Sequence, residues 1–152
     1  MKKKIAIFMM IVITTVLLGK FSLGLSVGLP GKITALYQFN EKVGVDFSTT
    51  AFFGFGFLLV NANTDLLFFS SEILKNDTLH LNGYWGVGAG ITIPGSFDEL
   101  LLSVRVPFGV QMPVEFNGGQ VCEAFLEMVP LVVAIPVPAV TFTTSVGARY
   151  VF

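Results

Sequence analysis

From Val140 to Phe152 alternate residues fall into two unlike sets. Val140, Phe142, Thr144, Val146, Ala148, Tyr150 and Phe152 make one set, and Thr141, Thr143, Ser145, Gly147, Arg149 and Val151 the other. The first is apolar and aromatic, the second small or polar with one charge. A period of two is the mark of a strand lying between two different environments. The same division returns upstream. Leu102, Val104, Val106, Phe108, Val110 and Met112 oppose Ser103, Arg105, Pro107, Gly109 and Gln111. Trp85, Val87, Ala89, Ile91 and Ile93 oppose His80, Asn82, Tyr84, Gly86, Gly88, Gly90 and Thr92. Ile33, Ala35, Tyr37 and Phe39 oppose Lys32, Thr34, Leu36 and Gln38, and Val43, Val45, Phe47 and Thr49 oppose Gly44, Asp46, Ser48 and Thr50.

The pattern predicts eight strands, at 21–29, 31–39, 42–52, 58–69, 78–94, 99–114, 120–131 and 139–152. The breaks are short, and most carry Gly, Pro or Asn. Pro107 sits inside the sixth strand, where its missing N–H breaks a ladder, and a β-bulge there would reconcile it.

The polar set is too mild to face bulk water. It consists of Gly, Ser, Thr and Asn with few charges, whereas the other face is continuously apolar. The chain therefore reads inside out, apolar toward lipid and small-polar toward an interior. The expected fold is all-β, an eight-stranded antiparallel up-and-down transmembrane β-barrel, because a closed ring leaves no unpaired edge in lipid. Composition agrees: 53% of residues are hydrophobic and 12% charged, with 16 Gly and 16 Phe. That charged share is about half the usual one. With both termini on the periplasmic side, one rim carries Phe21, Tyr37, Phe39, Phe68, Phe69, Phe116, Tyr150 and Phe152, and the other Phe52, Phe53, Phe55, Phe57 and Phe97. Two such belts match the aromatic girdles of membrane barrels.

The first segment is separable. "MKKK" followed by "IAIFMMIVITTVLLG" reads as a secretory signal over 1–20, cleaved between 19 and 24, ahead of a barrel domain over 21–152. The run is short for a retained anchor. Export places the chain in the bacterial outer membrane. A cut after Gly19 removes three of nine basic residues, leaving six against ten acidic ones, a net charge of −4. No basic patch remains for nucleic acid. The ending "RYVF" puts Tyr150 two residues before a terminal Phe152, in the manner of the signal by which outer-membrane barrels engage their insertion machinery.

Strand charges are few. On the inward set stand Lys32, Asp46, Asp65, Arg105, Glu123, Glu127 and Arg149. An eight-stranded barrel has room inside only for side chains, and charges buried there must pair. Folding the last hairpin about Pro136 sets Glu123 opposite Arg149, and folding the preceding one about Phe116 sets Glu127 opposite Arg105. The expected network joins Arg105 and Arg149 to Glu123 and Glu127, with Asp46 or Asp65 as further partners, and serves to plug and order the interior.

Catalytic chemistry is thin. His80 is the single histidine; outer-membrane lipid A deacylases use His-x-Ser, and "HLN" offers Asn82 instead. No His/Cys/Asp cluster has metal-ligand spacing. Cys122 is the single cysteine and has no internal disulfide partner. "GVGAG" (Gly86 to Gly90) is followed by no helix, so it is no phosphate loop; its glycines make room for large side chains opposite. No enzyme activity and no cofactor are expected.

"SVRVPFGVQMPVEF", "EAFLEMVPLVVAIP" and "TTSVGARYVF", and more weakly "GLSVGLPGKITALYQFNEKVGVDFS", resemble a family of small OmpA-like outer-membrane barrels best known from spirochaetes and without an assigned activity. The resemblance implies an eight-stranded barrel and prolines at the places of Pro107 and Pro130. The expected role is structural or interactive, with outer-membrane lipid and the insertion machinery as partners. The alternatives are a secreted or periplasmic lipocalin-like lipid-binding barrel, which needs an apolar cavity, and a lipid-modifying enzyme, which needs a nucleophile and base near one rim.

Overall fold

The alternating segments pair into a hydrogen-bonded ring. The structure is a computed structural model and describes residues 19–28, 30–54, 57–70, 73–76, 79–94, 100–116, 120–135 and 138–152. Of the segment read as an export signal over 1–20, residues 1–18 lie outside the described residues, and Lys20 begins the first strand. Among the described residues the regular elements are all strands: β1 (Lys20–Gly28), β2 (Lys32–Asn40), β3 (Val43–Gly54), β4 (Phe57–Phe69), β5 (Leu74–Asn76), β6 (Leu79–Pro94), β7 (Leu101–Arg105), β8 (Phe108–Phe116), β9 (Gln120–Ile135) and β10 (Ala139–Val151). Every pairing is antiparallel, and β10 bonds both β9 and β1, so the sheet returns to its start. Seven strands hold one place each in the ring; β7 and β8 both lie between β6 and β9 and share the eighth. The short β5 pairs with β6 off this path, in a stretch where a plain break is predicted.

Pairing followed once round the ring does not return to the same residue. From Glu123 it passes through Arg149, Gly24, Thr34, Ser48, Asn63, Gly90 and Ser103 to Val133, ten residues further along β9. A stagger of that size over eight places tilts each strand by about 40° from the ring axis.

Pro107 behaves differently from the expected bulge. Arg105 pairs with Leu131 and Phe108 with Met128, so the register against β9 runs through Val106 and Pro107 with no residue gained. Against β6 it is likewise continuous, Arg105 with Gly88 and Phe108 with Trp85. The strand is interrupted, not bulged. Val106 N–H still reaches the Pro130 carbonyl (3.0 Å), and the Pro107 carbonyl accepts from Gly86 N–H (2.7 Å). The shift against β9 lies instead between Leu102 and Ser103. β9 also runs four residues past its predicted end, because "LVVA" loses the two-residue period without losing the ladder.

The two faces take unequal environments. Leu25, Val27, Phe47, Val104, Leu126, Phe142 and Val146 are exposed on the outer wall, Val140 to 79%. The interior buries Asp46, Asp65, Arg105, Glu127 and Arg149. It also buries something the alternation does not show, an apolar cluster of Leu36, Leu67, Phe69 and Tyr84. Phe69, expected in the rim belt, points inward. Phe21, Tyr150 and Phe152 stand outside at that rim: Phe21 and Tyr150 both pack on Phe152, and Phe68 stacks on Trp85 at 4.8 Å between ring centroids. Phe55 and Phe97 lie outside the described residues, as do the side chains of Phe52, Phe53, Phe57 and Phe116.

The β6 glycines are set by what faces them. A Cβ on Gly88 would meet Asp65 Oδ1 and the Thr64 carbonyl, and one on Gly86 would come within 2.7 Å of Leu67 Cδ2. Gly88→Ala is expected to destabilise the fold by about 1–3 kcal/mol, the usual cost of overpacking. Urea titration followed by the single tryptophan, Trp85, measures it, and an unchanged midpoint would contradict the close approach.

Candidate functional site

The inward set brings its charges together across the ring more than along its wall. Arg105 on β7 reaches past β6 to Asp65 on β4, with Nε 2.9 Å from Oδ1 and Nη2 3.0 Å from Oδ2, a two-point pairing of fork to carboxylate. Arg149 on β10 reaches past β1 and β2 to Asp46 on β3, Nη2 to Oδ1 at 3.2 Å. Lys32 on β2 pairs with Glu127 on β9, and the Tyr84 hydroxyl donates to the other Glu127 oxygen at 3.0 Å. Thr34 donates to Asp46 Oδ1 and accepts from Arg149 Nη2 at 3.4 Å. The Arg149 guanidinium also lies 4.1 Å over the Phe125 ring, an attraction between cation and ring face.

The residues of the expected network all lie buried on the inner face, but the bonds among them differ from those expected. Glu123 does stand opposite Arg149 on the β9–β10 ladder. Glu127 does not stand opposite Arg105. It pairs with Gly109, and Arg105 faces Leu131, because the β8–β9 turn is centred two residues later than Phe116. Asp46 and Asp65 are the arginine partners in place of the glutamates, since a long side chain reaches across the lumen as easily as along the wall. Lys32 and Tyr84, both on the inward set, complete the site and were outside the expected network. Their parity was a signal; the stagger that brings β2 level with β9 was not readable.

Among the described residues several buried polar atoms find no partner: Arg149 Nε and Nη1, Asp46 Oδ2, Glu123 Oε2, Gln111 Oε1, Ser22 Oγ and Ser26 Oγ among them. Charge pairs and apolar cluster together lie between two cavities. One, of about 580 Å³, opens at the rim that carries the chain's end and is lined in part by Lys20, Gln38, Gln111 and Glu123. The other, of about 230 Å³, lies toward the opposite rim and is lined largely by hydroxyl and amide side chains.

Among the described residues no group of three or more His, Cys, Asp and Glu could hold a metal ion. His80 is exposed on β6 where that strand pairs with β5, and Cys122 is half-buried on β9 opposite Tyr150. Among the described residues no helix is long and apolar enough to cross a membrane. A scan of family models, a search of curated proteins and a search of solved structures each find no match to the chain.

Removing one member of a buried pair leaves the other charge stranded, at a cost of about 3–5 kcal/mol. Arg149→Met is expected to lower the unfolding free energy read from urea titration by that order, and Asp46→Asn combined with it to recover part of the loss. A double variant no more stable than Arg149→Met would show that the two residues are not coupled.

Proposed function

We propose that this chain is a small integral outer-membrane protein, an eight-stranded transmembrane β-barrel whose interior is plugged by side chains and whose role is structural or interactive. One observation carries the reading. The outer wall exposes large apolar side chains while arginine, aspartate and glutamate are buried inside, the reverse of a water-soluble ring. Unpaired strand edges are intolerable in hydrocarbon, and a ring of paired strands answers that demand. Phe21, Tyr37, Phe39, Tyr150 and Phe152 collect at one rim, where aromatic rings suit a membrane interface. The lipocalin-like alternative calls for an apolar cavity, and the interior here is walled by ion pairs. The enzyme alternative calls for a nucleophile and base near one rim, and the exposed His80 has Asn82, not a serine, two residues on.

Within this proposal the segment 1–20 is a cleaved export signal, the chain is OmpA-like in character, and Tyr150 and Phe152 serve recognition by the insertion machinery. The expected outcome of envelope fractionation is recovery with the outer membrane, with unboiled protein migrating apart from boiled protein on a denaturing gel. Recovery as a soluble periplasmic protein would sink the proposal.

A plugged interior has an electrical consequence. In planar bilayers the folded protein is expected to give no steady conductance even at 1 M salt, where fixed lumen charges are screened within about 3 Å and do not themselves hold ions back. A stable open current would contradict the plug.

A further inference from the structure

We propose that a notch in the ring wall above the β1–β2 hairpin binds one anionic amphiphile, its chain along the outer wall and its head inside the ring. The proposal rests on the membrane reading.

The notch follows from register. β10 continues through Ala139–Thr144 against β9, but its ladder with β1 ends at Ser145 and Gly28. On the other side β3 continues through Thr50–Gly54 against β4, while its ladder with β2 ends at Thr49 and Ile33. Between them β1 and β2 turn back, and the turn is held low by Thr50 Oγ1 donating to the Gly31 carbonyl at 2.9 Å. Two wall places are therefore missing over the last part of the ring. The gap from β3 to β10 is roughly 14 Å, three strand spacings, and the hairpin stops about 10 Å below its neighbours. Among the described residues nothing pairs with either open edge. Neither edge carries a charge or a proline, the usual protections of an exposed strand. In hydrocarbon such an edge is costly unless a polar group meets it.

The cavities on either side of the notch both present mostly apolar surface but differ in the side chains that line them. Inside, the chamber of about 230 Å³ is lined by Thr50, Asn61, Thr143 and Ser145 among others. Its charged lining residues are Lys32 and Arg105, both cationic, while their partners Glu127 and Asp65 lie off its surface. Outside, a groove of about 520 Å³ is lined by Leu25, Val27, Ile33 and Ala51. Through Ile33 and Thr49 it runs into a second groove of about 480 Å³, floored by Ala35, Ala62 and Ala89. Lys32 lines both the inner chamber and the outer groove, so it stands on the threshold. The buried Ser26 hydroxyl, also on the groove, has no hydrogen-bond partner among the described residues. An apolar channel outside, a hydroxyl-lined chamber inside and cations between them fit a lipid with a compact carboxylate or phosphate head. The open edge N–H groups add donors to that head.

The test uses protein folded in neutral phosphocholine vesicles, with energy transfer from Trp85 to a fluorescent polyene fatty acid. The expected result is saturable binding of one acid per protein, at least tenfold tighter than the alcohol of the same chain. Thr143→Phe, which fills the chamber, and Ala62→Leu, which fills the groove, are each expected to weaken it at least tenfold. Leu126→Ala on the far wall is expected to leave it unchanged. Equal binding of acid and alcohol, non-saturable partition, or unaltered binding by both filling variants would overturn the proposal. So would a native mass spectrum of the membrane-extracted protein carrying a peptide in place of lipid. Inserted, heat-modifiable protein that binds no acid overturns this site alone; protein that fails to insert overturns the membrane reading with it.

Discussion

Arg105 and Arg149 must be neutralised inside a ring too narrow to hold water-solvated charge, and most of the interior is arranged around that demand. Each arginine takes an aspartate from a strand that is not its neighbour. Lys32 and Glu127 repeat the arrangement between β2 and β9. These three pairs act as struts across the lumen, where backbone ladders can only join adjacent strands. A buried pair is weak evidence for stability in itself, but removing one partner is expensive, so the pairs fix which side chains can occupy the interior. The glycine row on β6 is part of the same constraint: Asp65 and Leu67 have space because Gly88 and Gly86 have no side chain.

Below the charged level the interior changes character. Leu36, Leu67, Phe69 and Tyr84 form an apolar layer, and Phe125 underlies the Arg149 guanidinium. Tyr84 joins the two levels, its ring in the apolar cluster and its hydroxyl on Glu127. The layer explains why some inward positions are large and apolar although their strands otherwise alternate. The charged level and the apolar one lie between the cavities at the two rims.

The wall carries two departures from regular pairing, and they differ in kind. At Pro107 the ladder loses hydrogen bonds but keeps its register, since the proline points inward and its carbonyl still accepts from Gly86. Over β1 and β2 the wall itself is short, and whole strand edges are left open. The first is a local accommodation of one residue. The second changes what can approach the interior, because it sets an apolar outer groove beside a polar chamber with Lys32 between them.

The period of two determined most of the strands, the faces of those in which it was read and the reversal of polarity between them, because side-chain direction in a strand depends on local backbone geometry; it missed β5 and the inward turn of Phe69. The same parity placed Lys32, Asp46, Asp65, Arg105, Glu123, Glu127 and Arg149 on the inner face. Register across the final hairpin was also legible, since a short turn leaves few choices for Glu123 and Arg149. Other features were decided only by closure. Which aspartate meets which arginine depends on the ten-residue stagger around the ring, a sum over every ladder that no single segment encodes. The break in β7–β8, the apolar layer around Leu67 and Phe69, and the notch over the β1–β2 hairpin likewise arise from how strands of unequal length stand beside one another.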